Sequence, residues 1–362
     1  MTRSHNGAVR LSTVVMTHPR RLAAAHRLAR SLDDAVDVVV DPDPSGPPSA
    51  MRTAVAAWTW CPGGATHHLV LQDDVRPADD LCRHARQAAQ RHPDRVVALY
   101  ANSQSWNGAA ARPALLAGYG WIATTPGEYF PTLATIMPCA AAHAFADHAR
   151  AVLATERNDD ALLSRYLHEH GHRTALRLPN LVDHDEQPSL MGYDVHGIRR
   201  SVVFANPGVD KDLEVDSAAP LLETLPAWPA FLRRRALLRL PPEPGGTRWR
   251  TLTRAGHLGL IHRSWAEVCA EAERALPRLG RPPQRRSAAR RFLRELHLAA
   301  LTLKWVLAKV PRSPAPNSGG AYLDAVLRSY VEVGFGYDAA LLPWSGQLDV
   351  LVEFAAEAVG DV

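Results

Sequence analysis

The 362-residue chain lacks the signatures by which most nucleotide-using and hydrolytic enzymes announce themselves. No Gly-x-Gly-x-x-Gly follows any apolar run, and Gly118-Tyr119-Gly120 has neither the third glycine nor a helix behind it, which argues against a dinucleotide-type Rossmann site. A Walker loop and a Gly-x-Ser-x-Gly elbow are also missing, so ordinary kinase, ATPase, dehydrogenase and α/β-hydrolase chemistries lose ground. Cysteine is scarce. Cys61, Cys82, Cys139 and Cys269 are widely separated, without CxxC or Cys/His zinc spacing, and read as reduced structural thiols of a cytoplasmic protein. The first seven residues carry charge with no apolar core behind it, so no signal peptide is expected. No apolar run approaches the roughly 20 residues of a membrane span. The nearest, residues 296–310, is interrupted by His297 and Lys304 and has helical spacing.

What is present points to a globular α/β protein. Apolar residues make up 46% of the chain, enough for one large or two medium cores. The net charge of +4 and a sequence pI near 9.0 suit anionic ligands such as nucleotides but fall short of a nucleic-acid signature. Through residue 206, short apolar runs alternate with helix-period segments, the pattern of βα units around a mostly parallel sheet. Strands are expected at 11–16, 36–40, 69–72, 96–100, 121–125, 133–137 and 174–178. Helices are expected after Pro19 and near 50–60, 78–91, 142–154 and 160–169. From residue 207 onward the pattern becomes helical, with a Ser264-x-x-Glu267 capping box and Pro/Gly-rich linkers near 241–246 and 311–320. The expected organisation is a domain at 1–206 and a mainly α-helical C-terminal domain at 207–362.

The most informative segment is Leu69-Val70-Leu71-Gln72-Asp73-Asp74-Val75, an apolar run ending abruptly in two carboxylates. Such a run suits a strand buried on both faces, and the doublet then emerges at the carboxyl edge, where open α/β sheets hold ligands. Two hard oxygen donors there could hold magnesium or manganese with positions left open for phosphates. An acidic turn capping the next helix is the plain alternative. Two other strand ends carry polar groups: Thr17-His18-Pro19-Arg20-Arg21 and Asp41. An acid can accept from a ribose or base and arginines can contact phosphate. A solvated helix start for the arginines and a loop cap for Asp41 are the ordinary readings.

Four further groups stand between a candidate role and a plain one. Asn158-Asp159-Asp160 opens a helix, where carboxylates favour the dipole. Asn102, Gln104 and Trp106 lie in a polar loop of the sort that lines acceptor sites or simply covers a surface. His168-Glu-His-Gly-His172 lacks the metalloprotease order and reads as a solvated helix end. The arginine-rich stretch 281–294 reads as the solvated face of a helix, with peripheral contact to an anionic membrane as the alternative.

Taken in order, Thr-His-Pro-Arg after the first strand, Asp41 after the second and the "LVLQDDV" segment resemble the nucleotide-sugar half of GT-A glycosyltransferases, particularly bacterial ones with an "LEDD"-type motif. "PNLVDH" at Pro179 to His184 is similar to the segment of such enzymes in which a distal histidine completes the metal site. The resemblance covers about the first 200 residues. It implies a GT-A fold and transfer of a hexosyl or pentosyl group from a UDP- or GDP-sugar to an acceptor hydroxyl, with Mn2+ or Mg2+. It assigns Asp73, Asp74 and His184 to the metal. Thr17, His18, Arg20, Arg21, Asp41, Gln72 and Asp73 fall to the donor nucleotide, Asn102 and Trp106 to the acceptor, and Asp160, ahead of Asp159, to the catalytic base. Gln72 departs from the family pattern, since many relatives have an acid there and an amide brings no charge to a metal. A nucleotidyltransferase and a non-catalytic GT-A-like binding module remain alternatives. Neither nucleic acid nor a membrane span is expected, and a homo-oligomer is allowed.

Overall fold

The computed structural model describes residues 8–185, 187, 190, 199–205, 221–243, 246, 248–279, 286–313, 322–335 and 346–360. The elements up to residue 184 are β1 (Leu11–Thr17), α1 (Leu22–Ser31), β2 (Asp37–Val40), α2 (Ala50–Thr59), β3 (His67–Gln72), β4 (Val75–Pro77), α3 (Leu81–Arg91), β5 (Val96–Ala98), α4 (Trp106–Leu116), β6 (Trp121–Ile122), β7 (Ala134–Pro138), α5 (Cys139–Val152), α6 (Asp159–Glu169), β8 (Thr174–Arg177) and β9 (Val182–His184). Then come β10 (Leu221–Leu222), β11 (Trp228–Leu232), β12 (Arg235–Leu240), β13 (Arg250–Leu252), α7 (Arg254–Leu260), α8 (Trp265–Glu273), α9 (Arg286–Leu307), α10 (Leu323–Phe335) and α11 (Leu348–Val359). The fold is mixed α/β with a mostly parallel central sheet. Among the described residues, no helix is long and apolar enough to cross a membrane.

The chain forms two compact units. The first comprises Met1–Tyr100, Pro126–Val195 and Phe204–Ala218; the second comprises Ala101–Thr125, His196–Val203 and Ala219–Val362. This division differs from a single cut at 206/207, two positions that lie outside the described residues.

In the first unit six strands run in the order β8-β5-β7-β3-β1-β2, parallel except for β7, which is antiparallel to both β3 and β5. Val14, Val15, Leu69, Val70 and Leu71 are almost wholly buried, as expected of strands covered on both faces. α1, α2 and α3 pack on β1, and α2 packs on α5. A disulfide joins Cys61, just after α2, to Cys139 at the start of α5. This corrects the expectation of four reduced thiols. The packing of α2 on α5 brings together two cysteines 78 residues apart, a proximity that no local spacing reveals. Cys82 and Cys269 are free.

In the second unit β11-β12-β13 form an antiparallel sheet, with α9 on β11 and β12, and α4 and α10 on β11. Phe231 meets the rings of Phe292 and Tyr330 edge-on. Strands at 221–252 are thus interposed where helices alone were expected. In β12 the buried Ala236 and Leu238 alternate with the less buried Arg235, Leu237 and Arg239, and six residues are too few for that period to stand out from a helical one. A second difference is α4, whose residues from Asn107 to Leu116 are all buried. Its alanines and internal Pro113 give no amphipathic stripe, so a helix from Trp106 replaces the expected end of a polar loop. Of the expected linkers, residues 241–243, 246 and 311–313 are described; 244–245 and 314–320 lie outside the described residues.

Candidate functional site

Parallel pairing in register puts Thr17 beside Val40 and Met16 beside Gln72, so that the chain leaves β1, β2 and β3 at one carboxyl edge. The three strand-end motifs therefore share an edge. Pro19 opens a short turn before α1, and His18 caps it, its Nδ1 accepting from the Arg20 amide at 3.2 Å. That turn aims Arg21 back across the edge.

Asp73 and Asp74 form the two-residue turn between β3 and β4. Asp73 accepts from the Thr17 hydroxyl at 2.5 Å and from Arg21 Nη1 at 3.0 Å. The same Arg21 nitrogen lies 3.2 Å from Asp74 Oδ2. Burial holds the Asp73 carboxyl above its ordinary value, helped by the charge of Asp74 and opposed by the hydrogen bonds from Thr17 and Arg21. Asp74 is 7% exposed, and its buried Oδ1 has no hydrogen-bond partner.

The second strand of this site comes from more than 100 residues downstream. β4 pairs antiparallel with β9, setting Val75 opposite His184, and the Asp185 amide donates to the Asp74 carbonyl at 2.7 Å. His184 Nε2 then stands 3.4 Å from Asp74 Oδ2. Arg76 pairs with Asp183 at 2.7 Å and lies over the Phe204 ring, which ties the same two strands together. Upstream of β9, the buried Asn180 donates to the Arg177 carbonyl and the Leu181 amide donates to Leu99. Asp73, Asp74 and His184, joined in the sequence only by family resemblance, are brought together here with Thr17 and Arg21.

Gln72 turns aside: its Nε2 donates to the Thr132 hydroxyl at 3.2 Å. Thr132 also hydrogen-bonds Asp159, which is buried. Burial, and then the charge of Asp160, push the Asp159 carboxyl from 3.8 up to about 6, with the Thr132 bond opposing. Asp160 is only partly buried, and its Oδ1 accepts from the Ala161 amide at 2.6 Å. The inward member of the pair is thus Asp159, whereas the family resemblance puts Asp160 first as base. Which residue faced inward depended on the placement of α6 against Thr132, a residue that no motif singled out.

The remaining candidates divide. Asp41 is 5% exposed and clasped bidentately by Arg52, both bonds at 2.7 Å, with the Asp43 amide as a third donor. Burial raises its carboxyl, but these bonds prevail and hold it below its ordinary value. These bonds hold the loop on α2, a structural task beside the expected one of accepting from a ribose. Arg20 is exposed. Asn102 and Trp106 belong to the second unit, where Asn102 Oδ1 accepts from the Gln104 amide and Arg239 lies over the Trp106 ring at 5.4 Å. Of the histidine cluster, His168 is exposed, while His170 and His172 stack on Tyr166.

As the side chains stand, no group of three or more His, Cys, Asp or Glu among the described residues is arranged to hold a metal ion. Arg21 takes the cationic position between the two carboxylates. The donor chemistry nonetheless suits a hard divalent ion, because Asp74 has a buried oxygen without a hydrogen bond and an imidazole beside it. The edge thus combines carboxylates, a guanidinium and an imidazole around a single turn. No family model matches the chain, and no curated protein shows significant similarity to it.

Proposed function

We propose that this chain is a metal-dependent glycosyltransferase of the GT-A type, moving a hexosyl or pentosyl group from a UDP- or GDP-sugar to an acceptor hydroxyl. The observation that supports this reading is the β4–β9 pairing, which sets His184 Nε2 3.4 Å from Asp74 at the edge where Thr17 and Arg21 converge. Asp74, with Asp73 and His184, would hold Mn2+ or Mg2+, which when bound neutralises charge on the departing diphosphate. Arg21 would contact phosphate. Asp159 is the acceptor-side base in this proposal: its carboxyl near 6 is ionised at neutral pH yet basic enough to receive the hydroxyl proton. A cytoplasmic location belongs to the same proposal, and the Cys61–Cys139 disulfide weighs against it.

Calorimetry with UDP and GDP, with and without Mn2+, tests the reading. Diphosphate binding should tighten markedly with the metal and lose that gain in Asp74→Ala, while Asp159→Asn should keep binding and lose turnover by about 10²–10⁴-fold, the usual worth of a positioned base. Binding that ignores the metal, or no binding at all, overturns it. One observation favours a second reading, a non-catalytic GT-A-like binding module: Arg21 already neutralises part of the doublet, as a metal-free site would need. Diphosphate binding undiminished by a chelator would select that module. Release of pyrophosphate from a nucleoside triphosphate would instead indicate a nucleotidyltransferase.

A further inference from the structure

We infer that the Arg21 guanidinium is an internal stand-in for the divalent cation, handed from the Asp73–Asp74 doublet to a diphosphate on binding, so that Arg21 opposes the cation and favours the anion. The inference rests on the proposed function and deepens it. Its geometric basis is a single nitrogen, Nη1, bridging two carboxylates at 3.0 and 3.2 Å. A guanidinium meets one carboxylate or phosphate best through a two-pronged fork. A phosphate offers that fork, and the Arg21 side chain, 16% exposed, sits at the rim of the edge rather than sealed beneath it.

The second observation is the state of Asp74. Its Oδ2 is shared by Arg21 and His184, while its buried Oδ1 has no hydrogen-bond partner. The Arg21 guanidinium is divided between two carboxylates, and the unpartnered Asp74 oxygen in a buried position is costly. A divalent ion would give that oxygen a partner, but a guanidinium bonded to the same two carboxylates repels it. The conflict is resolved if Arg21 leaves, and an incoming diphosphate gives it a partner of the right sign and shape. No proton or covalent bond moves in this exchange; only ion pairs are re-partnered.

The experiment measures Mn2+ and inorganic pyrophosphate separately, so that complexes between the two in solution do not enter. Free Mn2+ is followed by electron paramagnetic resonance, and pyrophosphate binding by calorimetry in EDTA, for the wild type, Arg21→Met, Arg21→Lys and Asp74→Asn. Arg21→Met should bind Mn2+ about tenfold more tightly and pyrophosphate about tenfold more weakly, a size typical of coupling between neighbouring sites. The opposite signs are the signature, because a residue that merely holds the loop would weaken both ligands together. Arg21→Lys, which keeps the charge but loses the planar fork, should move both affinities in the same directions by a smaller factor, and it carries the test if Arg21→Met does not fold.

Unchanged or weaker Mn2+ binding in both Arg21 variants overturns the inference, and if Asp74→Asn still abolishes Mn2+ binding, the metal site of the proposed function survives that failure. Mn2+ binding that is indifferent to Asp74→Asn, or absent from every variant, removes the metal site and the inference together.

Discussion

At the scale of single residues, Asp159 and Asp160 are chain neighbours with opposite surroundings, and this difference has a measurable consequence. The folded state holds Asp159 near 6 against an ordinary 3.8, so the fold favours its neutral form. In the wild type the associated stability is fully present below 3.8, falls as pH rises through the window to about 6, and does not return above it. A change from 3.8 to about 6 corresponds to roughly 3 kcal/mol for a group this buried. Asp159→Asn should therefore match the wild type in urea denaturation near pH 4 and exceed it by about 2–3 kcal/mol at pH 8. In the catalytic reading, the acid limb of kcat/KM should lie near 6 and disappear with this residue. Turnover retained in Asp159→Asn and lost in Asp160→Asn would return the role to Asp160. The sequence showed a carboxylate pair at a helix start but not its orientation, because Thr132 approaches from 27 positions earlier. Asp41 was hidden in the same way by Arg52, whose arginine side chain carries no mark of its partner.

At the scale of elements, β4 and β9 have three residues each, yet they decide whether the site exists. Neither is recognisable from propensity, and the residues after the doublet read more naturally as the start of α3. The central strands were legible because unbroken apolar runs are a strong signal, and the parallel order follows from the helices between them. Helix α4 was not legible, since burial on all sides erases the periodicity that identifies a helix. Its approach to the preceding loop is close: a Cβ added to Gly108 would lie 2.3 Å from the Asn102 carbonyl oxygen. Gly108→Ala should cost about 1–3 kcal/mol in chemical denaturation, the range for overpacking. The Cys61–Cys139 bond closes a long loop of the first unit, so Cys61→Ser/Cys139→Ser should lower stability by about 2–4 kcal/mol and make the protein insensitive to reductant. An unchanged midpoint under oxidising conditions would show that these thiols stay reduced in solution.

At the scale of the whole molecule, the chain does not divide where its sequence pattern changes. Residues 101–125 carry α4, and the strands and helices that cover α4, β11 and α9 among them, come from beyond residue 219. A fragment ending at 206 keeps α4 and loses its cover. It should bind a hydrophobic dye and lack a cooperative unfolding transition, while the full chain does neither; a fragment that unfolds cooperatively would restore the simpler division. The alternation of apolar runs with helix-period segments made the α/β class legible, and the change of pattern after residue 206 a helix-rich second half. Neither could show that the second unit borrows a segment from the first half, because nothing local in residues 101–125 names the elements that bury them.

The seven residues of β1 end with Thr17 turned to one side of the sheet and Met16 to the other. A strand alternates its sides, so inserting a single residue in that run ahead of Met16 would push Met16 into the place of Thr17. A thioether would then face the doublet in place of a hydroxyl, and the guanidinium behind it would swing off the edge. Chemistry at this rim is therefore set by whether a count is odd or even, and length changes in β1 should be far less tolerated than substitutions that preserve its parity.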